Sequence, residues 1–181
     1  LSFLHAVHTK TNRHRRKKEE RLRLGNRRDS PCLNSFTRLF IRIEKEIYEM
    51  NQITYVLPEK IAAKNGDIEN VGSLLKPKAV QIGLGESDVA TIKGPARIVF
   101  DCARELCGGI RILAHYITNG KPIGIRFGES LSEAITPLGV KNATNDHSPR
   151  DFSACLPQLS SLRFGETGFR FVCLDFNEGE Y

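Results

Sequence analysis

The chain has 181 residues, of which 40% are hydrophobic and 27% charged, with no Trp and one Met. This length suits one ordinary domain with an additional segment, and the composition excludes collagenous and wholly disordered proteins. No stretch approaches the roughly 18 apolar residues that a membrane-spanning helix needs. The five Cys form neither a CxxC pair nor a Cys/His zinc spacing, so the sequence predicts reduced thiols, no bound metal and no cofactor.

The net charge of +6 is concentrated near the N terminus. Residues 1–49 hold 13 of the 27 Lys and Arg but 6 of the 21 Asp and Glu, whereas residues 50–181 hold 14 basic and 15 acidic residues. Fourteen of the 15 glycines also follow residue 49. We therefore divide the chain into a basic segment of low order (1–49), a lead-in (50–75) and a globular domain (76–181).

Three interpretations of the basic segment stay open. The run of bases from Arg13 to Lys18 is typical of a nucleic-acid-binding arm. The weak apolar periodicity up to residue 31 is typical of a disordered tail, and residues 33–53 then show the spacing of a short amphipathic helix. The third interpretation is that translation starts at Met50 and that the segment is upstream read-through. We expect the globular domain to fold without residues 1–49.

The sequence does not identify the cell compartment. The apolar opening of the chain is too short for the core of a signal peptide, and its charges follow that opening rather than precede it. A cytoplasmic and a periplasmic location therefore both stay open.

Short apolar runs with a period of two predict β-strands in the globular domain. They cover residues 79–84, 96–102, 109–117, 122–128 and 169–176. The Asn119–Gly120 pair between the third and fourth runs predicts a hairpin. Residues 129–135 show a short helical pattern, and residues 136–151 show no periodicity and predict a long loop. Together these features predict an all-β fold, specifically a jelly-roll-like antiparallel β-sandwich.

The interval between the second and third runs predicts a turn. Gly108 and Gly109 are interpreted as turn glycines, and Asp101 as a carboxylate at the end of a strand. Cys102 and Cys107 flank this turn. A disulfide between them stays an open alternative.

Two groups of polar residues are candidates for contacts with a carbohydrate or with another domain. They are Arg126 and Glu129 after the fourth predicted strand, and Asp146, His147, Arg150 and Asp151 in the long loop. Such side chains can orient a sugar hydroxyl or hold a metal, but their spacing matches no metal motif. We favour a structural interpretation, in which the loop is held by its own hydrogen bonds, and we predict no catalytic residue.

Four patches of sequence carry a family resemblance. They are residues 96–111, Ile125 to Ser130, residues 142–151 (including Asn142–Ala143–Thr144–Asn145–Asp146–His147), and Gly165 to Val172. Their order and spacing resemble the β-sandwich module that precedes the catalytic domain in bacterial α-L-rhamnosidases of the Bacteroides type.

The resemblance implies a non-catalytic accessory domain that docks on a helical α/α-barrel and contributes to rhamnoside breakdown. In that family the barrel supplies the catalytic acid and base, and no residue of this chain matches them. Two other functions stay open. One is a stand-alone carbohydrate- or protein-binding sandwich, against which the absence of Trp argues. The other is nucleic-acid binding through residues 1–49, which the sequence favours least.

Overall fold

A computed structural model describes residues 3–9 (backbone alone), 53–77, 85, 88–118, 120–140 and 150–181. Contacts divide the chain into two units, one of Leu1–His8 with Tyr55–Tyr181 and the other of Thr9–Thr54. The second unit lies almost wholly outside the described residues, so the account below concerns the first. The predicted strand at residues 79–84 also lies outside them.

Seven strands form one antiparallel sheet, which confirms the all-β prediction. The strands are β1 (Phe3–Thr9), β2 (Ile53–Val56), β3 (Lys60–Glu69), β4 (Thr91–Ala114), β5 (Ile123–Gly128), β6 (Asp151–Ala154) and β7 (Ser160–Glu180). Their order is β2-β1-β4-β7-β5-β6, and β3 also pairs with β4. A 3-10 helix (Val71–Leu75) and helix α1 (Leu131–Ile135) complete the described elements. Neither helix is long and apolar enough to cross a membrane.

Strands β4 and β7 form a long two-stranded ribbon, which organises the rest of the sheet. β4 has 24 residues and β7 has 21, and they pair along nearly their whole length. β3 pairs with the first half of β4, and β1 pairs with its second half. β5 pairs with the second half of β7, and β6 pairs with β5.

The ribbon folds back on itself. A straight strand of 24 residues would span about 80 Å. Thr118 lies four residues beyond the end of β4, yet it bridges Glu180, which pairs with Lys93 near the start of β4. Four residues reach at most about 14 Å. The two ends of the ribbon are therefore close together.

The fold-back produces two layers. Layer A contains β3, β5, β6, the first half of β4 and the second half of β7. Layer B contains β1, β2 and the remaining halves of β4 and β7. Ile98 and Phe100 from layer A join Ile110 and Ile112 from layer B in one hydrophobic core. The β-sandwich and its jelly-roll topology both stay predictions.

The pairing of β4 with β7 has three irregularities, and two of them lie near the middle of the ribbon. At the first, residues 102–105 of β4 lie opposite Arg170 alone. At the second, Gly109 lies opposite two residues of β7, Gly165 and Glu166. Extra residues on one strand of a pair bend it and increase its twist. The first irregularity also holds Ala103 at a φ of 60°, a backbone conformation that a residue with a side chain seldom adopts.

Two predictions about this region are wrong. The runs at residues 96–102 and 109–117 belong to one strand that ends at Ala114, because the interval between them is a bulge rather than a turn. The Asn119–Gly120 hairpin does not form, since β5 pairs with β6 and β7 instead of β4. The chain is held there by Tyr181, whose hydroxyl donates to the Lys121 carbonyl at 2.9 Å and accepts from its N–H at 3.0 Å.

The predicted strand at residues 169–176 forms, but it is longer than its sequence pattern suggested. β7 extends from Ser160 to Glu180, and its inward face changes phase at the first irregularity. Phe169 lies in the main core, whereas Phe171 packs on the opposite side of the sheet. The strict alternation expected for residues 169–176 is therefore wrong at Arg170. The backbone of this residue has no single partner on β4, so the register shifts there. The strand at Ile123–Gly128 and the helix at Leu131–Ile135 confirm the predicted elements at residues 122–128 and 129–135.

The basic segment contributes one strand to the sheet. β1 pairs with β4 from Phe3 opposite Leu113 to His8 opposite Gly108. This strand lies within the segment for which the sequence predicted low order. The remainder of the segment, with its predicted amphipathic helix, lies outside the described residues.

Removing residues 1–49 should lower the free energy of unfolding, because the edge of β4 from Gly108 to Leu113 would lose its partner strand β1. We expect a loss of about 2 kcal/mol, since backbone hydrogen bonds contribute roughly 0.5–1.5 kcal/mol each. Thermal unfolding of chains 1–181 and 50–181 measures it. An unchanged midpoint would restore the original expectation that the segment is dispensable.

Gly165 should tolerate no side chain, because its φ is +80° and an added Cβ would lie 2.6 Å from Cε2 of Phe127. We expect Gly165→Ala to cost about 3 kcal/mol from backbone strain and overpacking together. Gly139 is the matched control, with a φ of +75° and nothing within 4 Å of an added Cβ. Gly139→Ala should cost about 1 kcal/mol in urea denaturation. Equal losses would show that Gly165 is required for its backbone conformation alone.

Candidate functional site

Helix α1 is short because its two ends are fixed by side chains. At the start, the Ser130 hydroxyl accepts a hydrogen bond from the Glu133 N–H at 3.2 Å. Glu133 in turn accepts from the Glu129 N–H through Oε2 at 2.8 Å. This reciprocal arrangement satisfies backbone donors that a helix start leaves open. It also holds the segment that connects β5 to the helix.

Arg150 and Asp151 secure the other end of α1 to β6. Arg150 is 2% exposed and donates to the carbonyl oxygens of Glu133 at 2.8 Å and Thr136 at 3.2 Å. Its Nε lies 3.9 Å from Oε1 of Glu133. The Asp151 carboxylate accepts from the Leu138 N–H at 2.9 Å. Both candidate residues thus take part in contacts that hold the chain after the helix.

Asp175 lies between two arginines on the outer face of layer A. Arg97 donates to both of its oxygens, through Nε at 2.5 Å and Nη2 at 3.1 Å. The buried Arg126 also donates to Asp175, and its Nε donates to the Ala134 carbonyl at 3.1 Å. Burial would raise the pKa of Asp175, but the two guanidinium groups outweigh it and hold that pKa below its ordinary value. Arg126 therefore joins β5, β7 and α1.

A small apolar cluster lies beneath α1. Val99, Ala134 and Cys173 are all fully buried there, on the side of layer A opposite to the main core. Burial raises the pKa of the Cys173 thiol, and the charge of Asp175 raises it further. Cys173 is therefore a neutral packing residue. The helix covers this part of the sheet and excludes water from it.

Asp101 closes the first irregularity of the ribbon. It is 2% exposed, and its oxygens accept from Arg170 through Nε at 2.8 Å and Nη2 at 3.0 Å. Its Oδ1 also accepts from the Ala103 N–H at 2.7 Å, and Nζ of Lys60 lies 3.9 Å from Oδ2. The hydrogen bonds from Arg170 hold the pKa of Asp101 below its ordinary range, although burial opposes them. The carboxylate thus binds both strands of the ribbon where they bend.

A cavity of about 250 Å³ adjoins this bend. It is lined by Val56, Leu57, Glu59, Cys102, Ala103 and Arg104. Burial raises the pKa of the Cys102 thiol to about 12, so this thiol stays protonated and is a poor nucleophile. Cys107 is exposed and is not bonded to Cys102, so the alternative of a Cys102–Cys107 disulfide is not realised. The part of the chain that is described contains no group of three potential metal ligands.

The structure brings four of the six candidate residues together. Arg126, Glu129, Arg150 and Asp151 surround α1, whereas Asp146 and His147 lie outside the described residues. Arg126 pairs with Asp175 rather than with Glu129, its neighbour in sequence.

Sequence reasoning missed the two carboxylate centres at Asp101 and Asp175. The only sign of these centres in the sequence was an Arg or Asp on the polar face of each predicted strand. Which Arg pairs with which Asp follows only from the strand register.

Comparison of the sequence with protein-family models and with curated proteins gave no match. The resemblance to a rhamnosidase module therefore depends on the four sequence patches alone.

Asp101→Asn should destabilise the domain by about 2 kcal/mol at pH 7, because it removes a charge from hydrogen bonds that link the two strands. The folded-state pKa of Asp101 lies below its unfolded value of roughly 3.9. Its contribution is therefore complete above that value and is lost as the pH falls through the folded-state pKa. We expect the gap between wild type and variant to close below about pH 4 in urea denaturation.

Glu178→Gln is the control for this variant. Glu178 accepts a hydrogen bond from Lys121 at 2.9 Å, but its side chain is 78% exposed, so water screens the pair. Its substitution should leave the urea midpoint nearly unchanged at every pH. A loss for Asp101→Asn no larger than that for Glu178→Gln would contradict the role given to Asp101.

Proposed function

We propose that the globular domain is a non-catalytic β-sandwich module of an α-L-rhamnosidase-like glycoside hydrolase. The placement of the resembling patches supports this. The first lies on β4, the second on β5 and the start of α1, and the fourth on β7. The third ends at Arg150 and Asp151, where β6 begins. The first, fourth and second patches thus lie on the neighbouring strands β4, β7 and β5, and the third ends at the start of β6, the next strand in the order.

The observation that carries the proposal is that the polar side chains of these patches form fixed contacts within the domain. Asp101 of the first patch pairs with Arg170 of the fourth. Arg126 of the second patch binds Asp175, three residues after the fourth, and Arg150 binds the helix that follows the second. These charges hold the module together. A scaffold needs such fixed pairs, whereas a general acid must hold and release a proton near the working pH.

The outer surface of α1 suits contact with a second domain. Leu131 and Ile135 lie four residues apart on one side of the helix, and Val140 follows them; their exposed fractions are 39%, 38% and 50%. In the proposal, this surface contacts the α/α-barrel that carries the catalytic acid and base. The rhamnoside would be bound mainly by the barrel, with the module supporting its entrance.

The purified chain should release no aryl alcohol from a chromogenic aryl α-L-rhamnoside above the uncatalysed rate. The reason is that the acid and base of an inverting glycosidase would lie on the barrel. Turnover that disappears in Glu129→Gln or Asp146→Asn would contradict the non-catalytic role. Gln and Asn preserve the shape of each side chain, so they remove the proton-transfer group with little change in packing.

A second measurement tests the parentage separately. The genomic reading frame around this sequence should encode an α/α-barrel in frame with the module. A frame that encodes no barrel, combined with binding of a saccharide by the isolated chain, would instead favour the stand-alone binding sandwich.

A further inference from the structure

Two arginines lie directly opposite each other on the outer face of layer B. The register pairs Arg111 of β4 with Arg163 of β7, while their neighbours Ile110, Ile112, Leu162 and Phe164 turn toward the core. Directly opposed residues of an antiparallel pair have Cβ atoms roughly 5 Å apart. The register therefore places these two cationic side chains side by side on adjacent strands.

Arg111 and Arg163 bring two positive charges to directly opposed positions of this strand pair. Like charges at directly opposed positions destabilise a sheet. A local arrangement that opposes stability is the kind that proteins retain at functional sites.

The two arginines differ from most other arginines of the described structure in having no acidic partner. Arg97, Arg126, Arg150 and Arg170 each form an ion pair with Asp or Glu. Within the described part of the chain, neither Arg111 nor Arg163 forms one. The same-face positions next to them include Gly109, Leu113, Ser161 and Gly165. Glu166 also lies opposite Gly109 at the second irregularity, but it forms no ion pair with either arginine within the described residues. Neither guanidinium is therefore paired with a carboxylate in this part of the chain.

Arg111 is held in place by two contacts that leave its charge uncompensated. Its Nε donates to the Ser161 hydroxyl at 2.8 Å, and its guanidinium carbon lies 5.3 Å from the centroid of the Tyr55 ring. Stacking on an aromatic ring and a neutral hydrogen bond fix the orientation of the planar group. Arg163 is exposed beside it. One guanidinium is thus oriented in advance, and the other is accessible from solvent.

We propose that Arg111 and Arg163 form a binding site for a tetrahedral oxyanion, the phosphate or sulfate group of a free anion or of an ester. A guanidinium presents parallel N–H donors that match the oxygens of such a group, and two guanidinium groups around one anion cancel their mutual repulsion. The site is cationic at every accessible pH, because arginine does not lose its proton in proteins. The proposal does not depend on the glycosidase parentage.

The test is an NMR titration of the full chain with inorganic sulfate, inorganic phosphate, glucose 6-sulfate and glucose 6-phosphate. Chloride keeps the ionic strength constant, so that general screening does not change. Arg163→Gln should weaken binding about tenfold, equivalent to about 1.4 kcal/mol. Arg104→Gln is the matched control, because Arg104 is also exposed and lacks an ion pair within the described structure. It should leave the affinity unchanged, and residues 1–49 are present in every variant.

A stability measurement separates a binding role from a structural one. Arg163→Gln removes a like-charge contact, so its Tm without added anion should equal or exceed that of the wild type. Sulfate should raise the Tm of the wild type more than that of the variant. Arg163→Lys provides a second variant that keeps the charge but loses the planar fork, and its affinity should be intermediate.

Three results would overturn the proposal. The first two are an anion affinity that Arg163→Gln leaves unchanged, and one that Arg163→Gln and Arg104→Gln weaken equally. The third is that Arg163→Gln has a lower Tm than the wild type and that sulfate raises both Tm values by the same amount. Binding of the esters in preference to the inorganic anions would identify an esterified ligand. The reverse preference would identify a free anion. Either preference supports the site if Arg163→Gln removes it.

Discussion

The fold-back of the β4–β7 ribbon is the constraint on which the rest of the structure depends. Two strands of 24 and 21 residues bring their ends together, so they must bend, and the bend occurs where four residues of β4 oppose Arg170 alone. A bulge of this size leaves backbone groups without ladder partners. Asp101 compensates by accepting from the Ala103 N–H and by pairing with Arg170 across the strands. A buried carboxylate thus stabilises the point at which one sheet becomes two layers.

The same principle recurs around α1, at the opposite side of layer A from the core. Asp175 joins Arg97 and Arg126, and Arg150 donates to the carbonyl groups at the end of the helix. Each pair satisfies a charge that burial would otherwise make costly. The arginines therefore fall into two groups with different roles. Those paired with carboxylates hold strands together, whereas Arg111 and Arg163 retain their charge for a ligand.

Local sequence patterns predicted most of the strands. The features that they did not predict depend on pairing between residues far apart in the sequence. Ile98, Phe100, Ile123 and Ile125 lie in the core and follow the period of two that predicted their strands, because alternation within a strand is a property of neighbouring residues. The bulge was interpreted as a turn because Gly108 and Gly109 also suit turns. The ion pairs Arg170–Asp101 and Arg97–Asp175 span 69 and 78 residues of sequence, so only the register reveals them. Of the candidate site, the sequence identified Arg126, Arg150 and Asp151 as notable residues without their partners.

The distance between the two ends of β7 tests the fold-back most directly. Spin labels on cysteines introduced at Ser160 and Glu180, with the native exposed cysteines replaced by serine, allow its measurement by double electron–electron resonance. Ser160 pairs with Ala114, and Glu180 bridges Thr118, four residues further along the chain. The account predicts a separation below about 30 Å, from the reach of four residues plus two strand spacings. A separation near 65 Å, the length of 20 residues in a straight strand, would contradict it.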